Sequence, residues 1–136
     1  EPGNDTWPGD TWRTGGAAVW LTGHYDPELG LTYWGTGNPG PWIGDQRPGD
    51  NLFGNSIIAL DIRTGERLWH FQGVHHGIWD YDLASAPNLI DITVDGKKIK
   101  AVAQVSKQGM TYVFGRRTGE PVWPIVEAPV SGRYAG

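Results

Sequence analysis

Ala59-Leu60-Asp61-Ile62-Arg63-Thr64-Gly65-Glu66-Arg67-Leu68-Trp69 returns later in the chain as Val113-Phe114-Gly115-Arg116-Arg117-Thr118-Gly119-Glu120-Pro121-Val122-Trp123. Arg63, Thr64, Gly65, Glu66 and Trp69 each have an identical partner 54 residues on. The glycine permits a tight turn between two antiparallel strands. The tryptophan four residues later can stand on the face of its sheet and pack against a neighbouring sheet. The competing reading is a chance match between two unrelated hairpins.

Working outward, strand signals dominate. Ala17 to Tyr25 reads as one strand, and Leu31 to Gly35 as a second, entered through Asp26-Pro27-Glu28-Leu29-Gly30. Ser56 to Asp61 is a short apolar run, the pattern of a strand buried on both faces. Arg67 to Gln72 follows the Arg63-Thr64-Gly65 turn. Asn88 to Val94 and Lys98 to Ser106 flank Asp95-Gly96, a strong hairpin signal. Met110 to Phe114 and Pro121 to Val126 complete the series. No window has a helical period. The segment 38–51, rich in proline and glycine, reads as a long surface loop, and 73–86 as a second, chemistry-bearing loop. A repeat of this size built on strand-turn-strand units predicts an all-β fold of propeller blades, here two to three, with blade repeats around 17–72 and 87–126 in a single domain fragment.

Composition agrees. The 136 residues include 21 glycines, 10 prolines and 8 tryptophans, with one methionine and no cysteine. Dense glycine and proline mean many turns, and the tryptophans argue against disorder. A net charge of −4 and pI of ≈ 5.4 exclude a basic nucleic-acid footprint; Lys97-Lys98-Ile99-Lys100 reads as an exposed strand flank. No apolar run reaches the roughly 18 residues of a membrane span. The absence of cysteine says nothing about redox compartment, and no signal peptide is visible. The chain reads as a fragment of something longer.

Chemistry concentrates in His75-His76-Gly77-Ile78-Trp79-Asp80-Tyr81-Asp82, just past a strand. Asp80 and Asp82, two apart, could both reach one hard cation, which wants several oxygen ligands. A carboxylate beside a cation stays ionised and can take a proton from a substrate. The structural alternative is that Asp80 caps a turn and Asp82 is solvated. Asn38, before a proline at a strand end, is a turn former or a carbonyl ligand for the same kind of ion. Trp20 follows the small residues Gly15-Gly16-Ala17-Ala18, which leave space over its indole for a planar ligand, unless it is one more packing tryptophan. Lys107 is either solvated or a donor to an anionic oxygen. His75 and His76 lack partners at zinc-like spacing, and His24 and His70 are isolated. Hydrolase, phosphate-loop and dinucleotide signatures are absent.

Six pieces in order make the chain resemble the pyrroloquinoline quinone (PQQ)-dependent alcohol dehydrogenases. They are Trp-Pro-Gly-Asp-x-Trp at 7–12, Gly-Gly-x-x-x-Trp at 15–20, Tyr-Asp-Pro at 25–27, Gly-Thr-Gly-Asn-Pro-x-Pro-Trp at 35–42, Arg-Pro-Gly-Asp-Asn at 47–51 and Trp-Asp-Tyr-Asp at 79–82. The resemblance implies part of an eight-bladed β-propeller, with Arg-Thr-Gly-Glu…Trp as the tryptophan-docking motif, although Gly115 stands where an aspartate is usual. It implies oxidation of a small alcohol by hydride transfer to metal-bound PQQ. Trp20 would form the floor under the PQQ ring, Asn38 would ligate the metal, Asp80 would be the catalytic carboxylate and a metal ligand, and Lys107 would hydrogen-bond the quinone oxygens. Asp82 matches the extra metal ligand of lanthanide-dependent methanol dehydrogenases; calcium-dependent ones carry a small residue there. Gly77 stands where an aspartate is common. The loop is also similar to PQQ-dependent glucose dehydrogenases, which keep a comparable second aspartate, so an aldose dehydrogenase is the alternative, and a non-catalytic propeller scaffold a further one. The resemblance further implies a periplasmic or secreted setting, and an electron acceptor such as a cytochrome c or a quinone. The remaining blades of a parent chain would complete the site, including a glutamate ligand and an adjacent-cysteine pair upstream of residue 1.

Overall fold

The computed structural model describes residues 2–129. Among them there is no α-helix; the only helical turns are three 3-10 turns of three residues each, at Asn4–Thr6, Thr11–Arg13 and Gly44–Gln46. Nine strands form three antiparallel sheets. They are β1 (Gly16–Ala17), β2 (His24–Asp26), β3 (Leu31–Gly35), β4 (Pro39–Gly40), β5 (Ser56–Asp61), β6 (Arg67–Gln72), β7 (Asn88–Val94), β8 (Lys97–Val105) and β9 (Thr111–Gly115). The sheets are β1-β4, β2-β3-β5-β6 and β7-β8-β9.

The repeat is a structural one. Asp61 N–H donates to Glu66 O at 2.9 Å and Gly65 N–H to Asp61 O at 2.8 Å; Gly115 N–H donates to Glu120 O at 2.8 Å and Gly119 N–H to Gly115 O at 2.9 Å. Gly65 and Gly119 both sit at φ 72°, where a side chain would be strained. Glu66 and Glu120 each donate their N–H to the threonine hydroxyl two residues back. The first turn has one extra brace, because the Asp61 carboxylate accepts the N–H groups of Arg63 and Thr64, which Gly115 cannot do. Asp95-Gly96 closes the β7–β8 hairpin with both residues at positive φ, as a primed two-residue turn requires.

The two large sheets face each other across one core: Leu31, Tyr33, Ile57, Ala59 and Trp69 from one side, Val102, Tyr112 and Phe114 from the other, and Leu83 from the loop between them. Trp69 is the keystone. Its ring lies 5.9 Å from Tyr33 and 5.7 Å from Phe114, and its Nε1 donates to Arg116 O at 3.0 Å. A Cβ on Gly119 would stand 2.6 Å from the indole, so the second turn is glycine for a packing reason as well as a conformational one. Tyr33 Oη donates to the same carbonyl at 3.0 Å. The Arg116 side chain then reaches back, pairing with buried Asp26 at 3.2 Å and with Asp91 at 2.9 Å. Trp123, the repeat partner of Trp69, is 52% exposed.

Four expectations need correction. Ala17 to Tyr25 is two strands, β1 and β2, separated by 18–23. The two strands belong to different sheets; between them Trp20 is 55% exposed, and Gly23, at the entry to β2, lies against Trp34, where a Cβ would be 2.5 Å from the ring. Pro121 to Val126 is a single bridge, Phe114 to Pro121, with one further bond from Val122 N–H to Val113 O. Pro124 has no N–H with which to extend it. The 38–51 segment is not purely surface: Arg47 and Asn51 within it are fully buried. The predicted double-sided burial of Ser56 to Asp61 is partial, with Ile57 and Ala59 in the core and Ile58 half-buried behind.

Candidate functional site

Three separate segments meet at one edge of the sheets. The first is the end of β3, where the chain turns out through Thr36-Gly37-Asn38. The second is the loop after β6. The third is the turn after β8. Backbone bonds lock them together: Leu83 N–H to Thr36 O at 3.2 Å, Lys107 N–H to Asp82 O at 3.1 Å, Asn55 N–H to Gly37 O at 2.9 Å and Gly73 N–H to Asn55 O at 2.8 Å.

All five sequence-predicted site residues come to this edge. Lys107 Nζ lies between the two carboxylates, 2.8 Å from Asp80 Oδ2 and 2.5 Å from Asp82 Oδ2. Those contacts, the bond to Asp80 first, hold the ammonium above the usual lysine range. Asp82 is buried and Asp80 about half open. The second oxygen of Asp82 accepts the Asn38 backbone N–H at 2.6 Å. A buried carboxylate must be paired and hydrogen-bonded to be tolerated, and Asp82 is both. Trp20 closes the group. A Cβ on Gly37 would meet Trp20 Nε1 at 3.0 Å and Asp82 Oδ1 at 3.1 Å, so Gly37 is the gap that lets indole and carboxylate approach one another. The indole remains 55% exposed, an open flat face.

Two observations bear on a cation. Asn38 Oδ1 is buried without a hydrogen-bond partner, an acceptor lacking its donor. Asp80 adopts φ 60°, a left-handed conformation that costs of order 1 kcal/mol for a non-glycine residue and tends to persist where it aims a functional side chain. Carboxylate and amide oxygens are the ligands of hard cations, and the set Asn38, Asp80 and Asp82 fits such an ion in kind while supplying only part of the six to eight oxygens it takes. No group of three or more His, Cys, Asp or Glu able to hold a metal occurs among the described residues.

The histidines turn elsewhere. His75 bonds Gln72 Oε1 at 2.8 Å and Glu127 at 3.2 Å, and His76 bonds Gly49 O at 2.9 Å. His24 reaches Pro87 O, and His70 pairs with Arg67, where burial and that cation push it down. Sequence reading assigned no role to two buried polar residues beneath the loop, Asn55 and Arg47. Asn55 lies in an apolar-looking strand entry; Arg47 was visible only as part of Arg-Pro-Gly-Asp-Asn.

Antiparallel sheets carrying a repeated strand-turn-strand unit are the pattern of propeller blades, and comparison with known proteins agrees. The family described as "PQQ: Glucose/ethanol/alcohol dehydrogenase, beta-propeller domain" matches residues 1–135, and the chain belongs to it. It is 47% identical over 124 residues to the quinoprotein alcohol dehydrogenase PedH of Pseudomonas putida, covering 90% of this chain and 21% of that protein. It is 41% identical over 113 residues to the quinoprotein glucose dehydrogenase of Escherichia coli, covering 82% of this chain and 14% of that one. A europium-containing methanol dehydrogenase superposes with a TM-score of 0.82 at 41% identity, covering 87% of this chain and 21% of that one. The three sheets are therefore part of a β-propeller, and PQQ is the cofactor of the family. The chain spans between about a seventh and a fifth of the length of the curated relatives it matches.

Proposed function

We propose that the chain is part of a single PQQ-binding propeller domain and that the whole protein oxidises an alcohol, with Asp80 as general base. The observation that supports this best is the convergence of Asp80, Asp82 and Lys107 within hydrogen-bonding distance, beside the partnerless carbonyl of Asn38. Bound PQQ with its cation, calcium or a lanthanide, supplies the acceptor for the hydride leaving the alcohol carbon. Asn38 Oδ1, Asp80 and Asp82 would hold the cation, together with oxygens from outside this chain. Lys107 occupies Asp80 Oδ2, which leaves Oδ1 to take the hydroxyl proton. The ammonium of Lys107 stabilises negative charge that develops on an oxygen at the site. The open indole of Trp20 offers the plane on which a flat ring stacks. Blade repeats around 17–72 and 87–126 carry the loops 38–51 and 73–86. A scaffold role gives no reason for stacking face, carboxylates and ammonium to share one edge.

The test is the full-length protein with Asp80→Ala. Turnover of primary alcohols with an artificial acceptor falls by about 10²–10⁴-fold, in the range of a lost general base, even where excess cation restores PQQ uptake followed by absorbance. Wild-type turnover in the variant removes Asp80 from the reaction, and failure of the wild type to take up PQQ favours the scaffold. An aldose substrate is the second reading, favoured by the identity to a glucose dehydrogenase; a panel of alcohols and aldoses ranks the two. We place the protein in the periplasm or outside the cell, passing electrons to a cytochrome c or a quinone, by analogy with the family; among the described residues no helix is long and apolar enough to cross a membrane.

A further inference from the structure

Arg47 is fully buried, yet no carboxylate lies within ion-pair distance of it among the described residues. Neutral oxygens alone hold the guanidinium. Nε donates to Pro41 O at 2.7 Å, Nη1 to Asn51 Oδ1 at 2.8 Å, and Nη2 to Gly77 O at 2.6 Å, with a longer contact to Trp42 O at 3.5 Å. Burying a guanidinium without a counter-ion is costly, and the rigid fork is suited to fixing several acceptors at once.

Gly77 is the point at which that fork meets the Asp80 loop, and Gly77 is confined from its other side too. A Cβ there would stand 2.1 Å from Asn55 Oδ1 and 2.9 Å from Asn38 Oδ1. Both amide oxygens are buried and without hydrogen-bond partners. The carbonyl of Gly77 is thus pulled by Arg47 while its Cα rests on the two asparagines, one of them the candidate cation ligand. Three residues further on, the chain enters the left-handed conformation that presents the Asp80 carboxylate. The placement of Gly77 sets the start of that short arc.

We propose that Arg47 is a positioning residue for Asp80: by gripping the Gly77 carbonyl from the 38–51 loop, it holds the catalytic loop in the register that aims the carboxylate at the substrate. The inference rests on Asp80 as proton acceptor. Arg47 is fully buried and acts through the Gly77 carbonyl, so its loss is read in the chemical step rather than in binding.

The experiment uses the full-length protein with Arg47→Gln, Arg47→Lys and, as a control, Asp80→Asn. Arg47→Gln lowers kcat by about 10²-fold, the scale of an ångström-size misplacement of a reacting group, with KM and PQQ uptake by absorbance within about threefold of wild type. Hydrogen exchange rises in the amides of residues 76–80. Arg47→Lys keeps the charge but not the fork, and remains about tenfold down in kcat; it carries the test alone if the glutamine variant does not fold. Wild-type kcat in Arg47→Lys overturns the proposal, as does a fall in kcat matched by an equal loss of PQQ uptake, which would mark a merely structural role. Full activity in Asp80→Asn overturns the reading of Asp80 instead, whatever Arg47 does.

Discussion

The backbone N–H of Asn38 donates to Asp82 Oδ1 at 2.6 Å, so one buried carboxylate both anchors the strand end that carries Asn38 and pairs with Lys107 through its other oxygen. That double engagement separates the roles of the two aspartates. Asp80 is open and bonded at one oxygen, whereas Asp82 is enclosed and bonded at both.

If Asp82 is a cation ligand, its removal is felt first by the ion. In the full-length protein, Asp82→Ala weakens cation affinity by about 10–100-fold, the cost typical of losing part of a metal's support. The loss is larger for a light lanthanide than for calcium, because a trivalent ion depends more on a second carboxylate. Wild-type protein reconstituted from the apo form is at least as active with the lanthanide. Titration of each apo-protein with both ions checks this, and calcium-only activity in the wild type sinks the lanthanide role of Asp82.

Lys107→Met removes the ammonium that spans both carboxylates. Turnover drops by about 10²–10³-fold, in line with loss of a donor at a developing charge, while cation uptake persists because the oxygen ligands remain. Stopped-flow reduction of the bound quinone distinguishes this from a binding defect. An unchanged reduction rate would leave Lys107 with no part in the chemistry.

The Asp26–Arg116 pair predicts an acid limit for the joint between the sheets. Burial pushes Asp26 up, but the N–H groups of Leu29 and Glu28 and the Arg116 guanidinium outweigh it, and the carboxyl ends below its ordinary 3.8. A depressed folded-state value means that the contribution is whole above about pH 4 and is lost as pH falls through the lower, folded-state value. Acid unfolding of the full-length protein followed by tryptophan fluorescence shows a limb in that range. Asp26→Asn removes the limb; an unchanged acid profile would show that the pair does not couple the sheets.

Trp69→Phe keeps a ring in the core and deletes the bond from Nε1 to Arg116 O, costing about 1 kcal/mol from that bond. Gly119→Ala costs more, about 1–3 kcal/mol, because the new methyl meets both a φ of 72° and the indole. Denaturant unfolding of the two variants ranks them, and the reverse order would contradict the packing of Trp69 on the second turn.

The strands were legible wherever local chemistry sufficed. Asp95-Gly96 specifies its own turn, and Arg-Thr-Gly-Glu specifies the same hydrogen bonds twice. The differences fall where a distant group decides or where one residue within the segment outweighs the rest. Nothing near Ala18 announces that Trp34 waits to receive Gly23, and the apolar look of Pro121 to Val126 outweighed the missing N–H of Pro124. For the site, residue types and order marked Trp20, Asn38, Asp80, Asp82 and Lys107. Arg47 escaped because a basic residue in a Gly/Pro-rich loop looks solvated until the loop is seen folded over it.

The sequence by itself determined an all-β chain, the repeated turn, and the residue types that gather at the candidate site, since turn geometry and functional-group type are properties of a few consecutive residues. Only the tertiary structure decided which of those groups meet. The 2.5 Å approach of Lys107 to Asp82 and the grip of Arg47 on Gly77 join residues 25 and 30 positions apart, and they exist because the packing of Trp69, Tyr33 and Phe114 brings two sheets together and fixes the loops at their common edge.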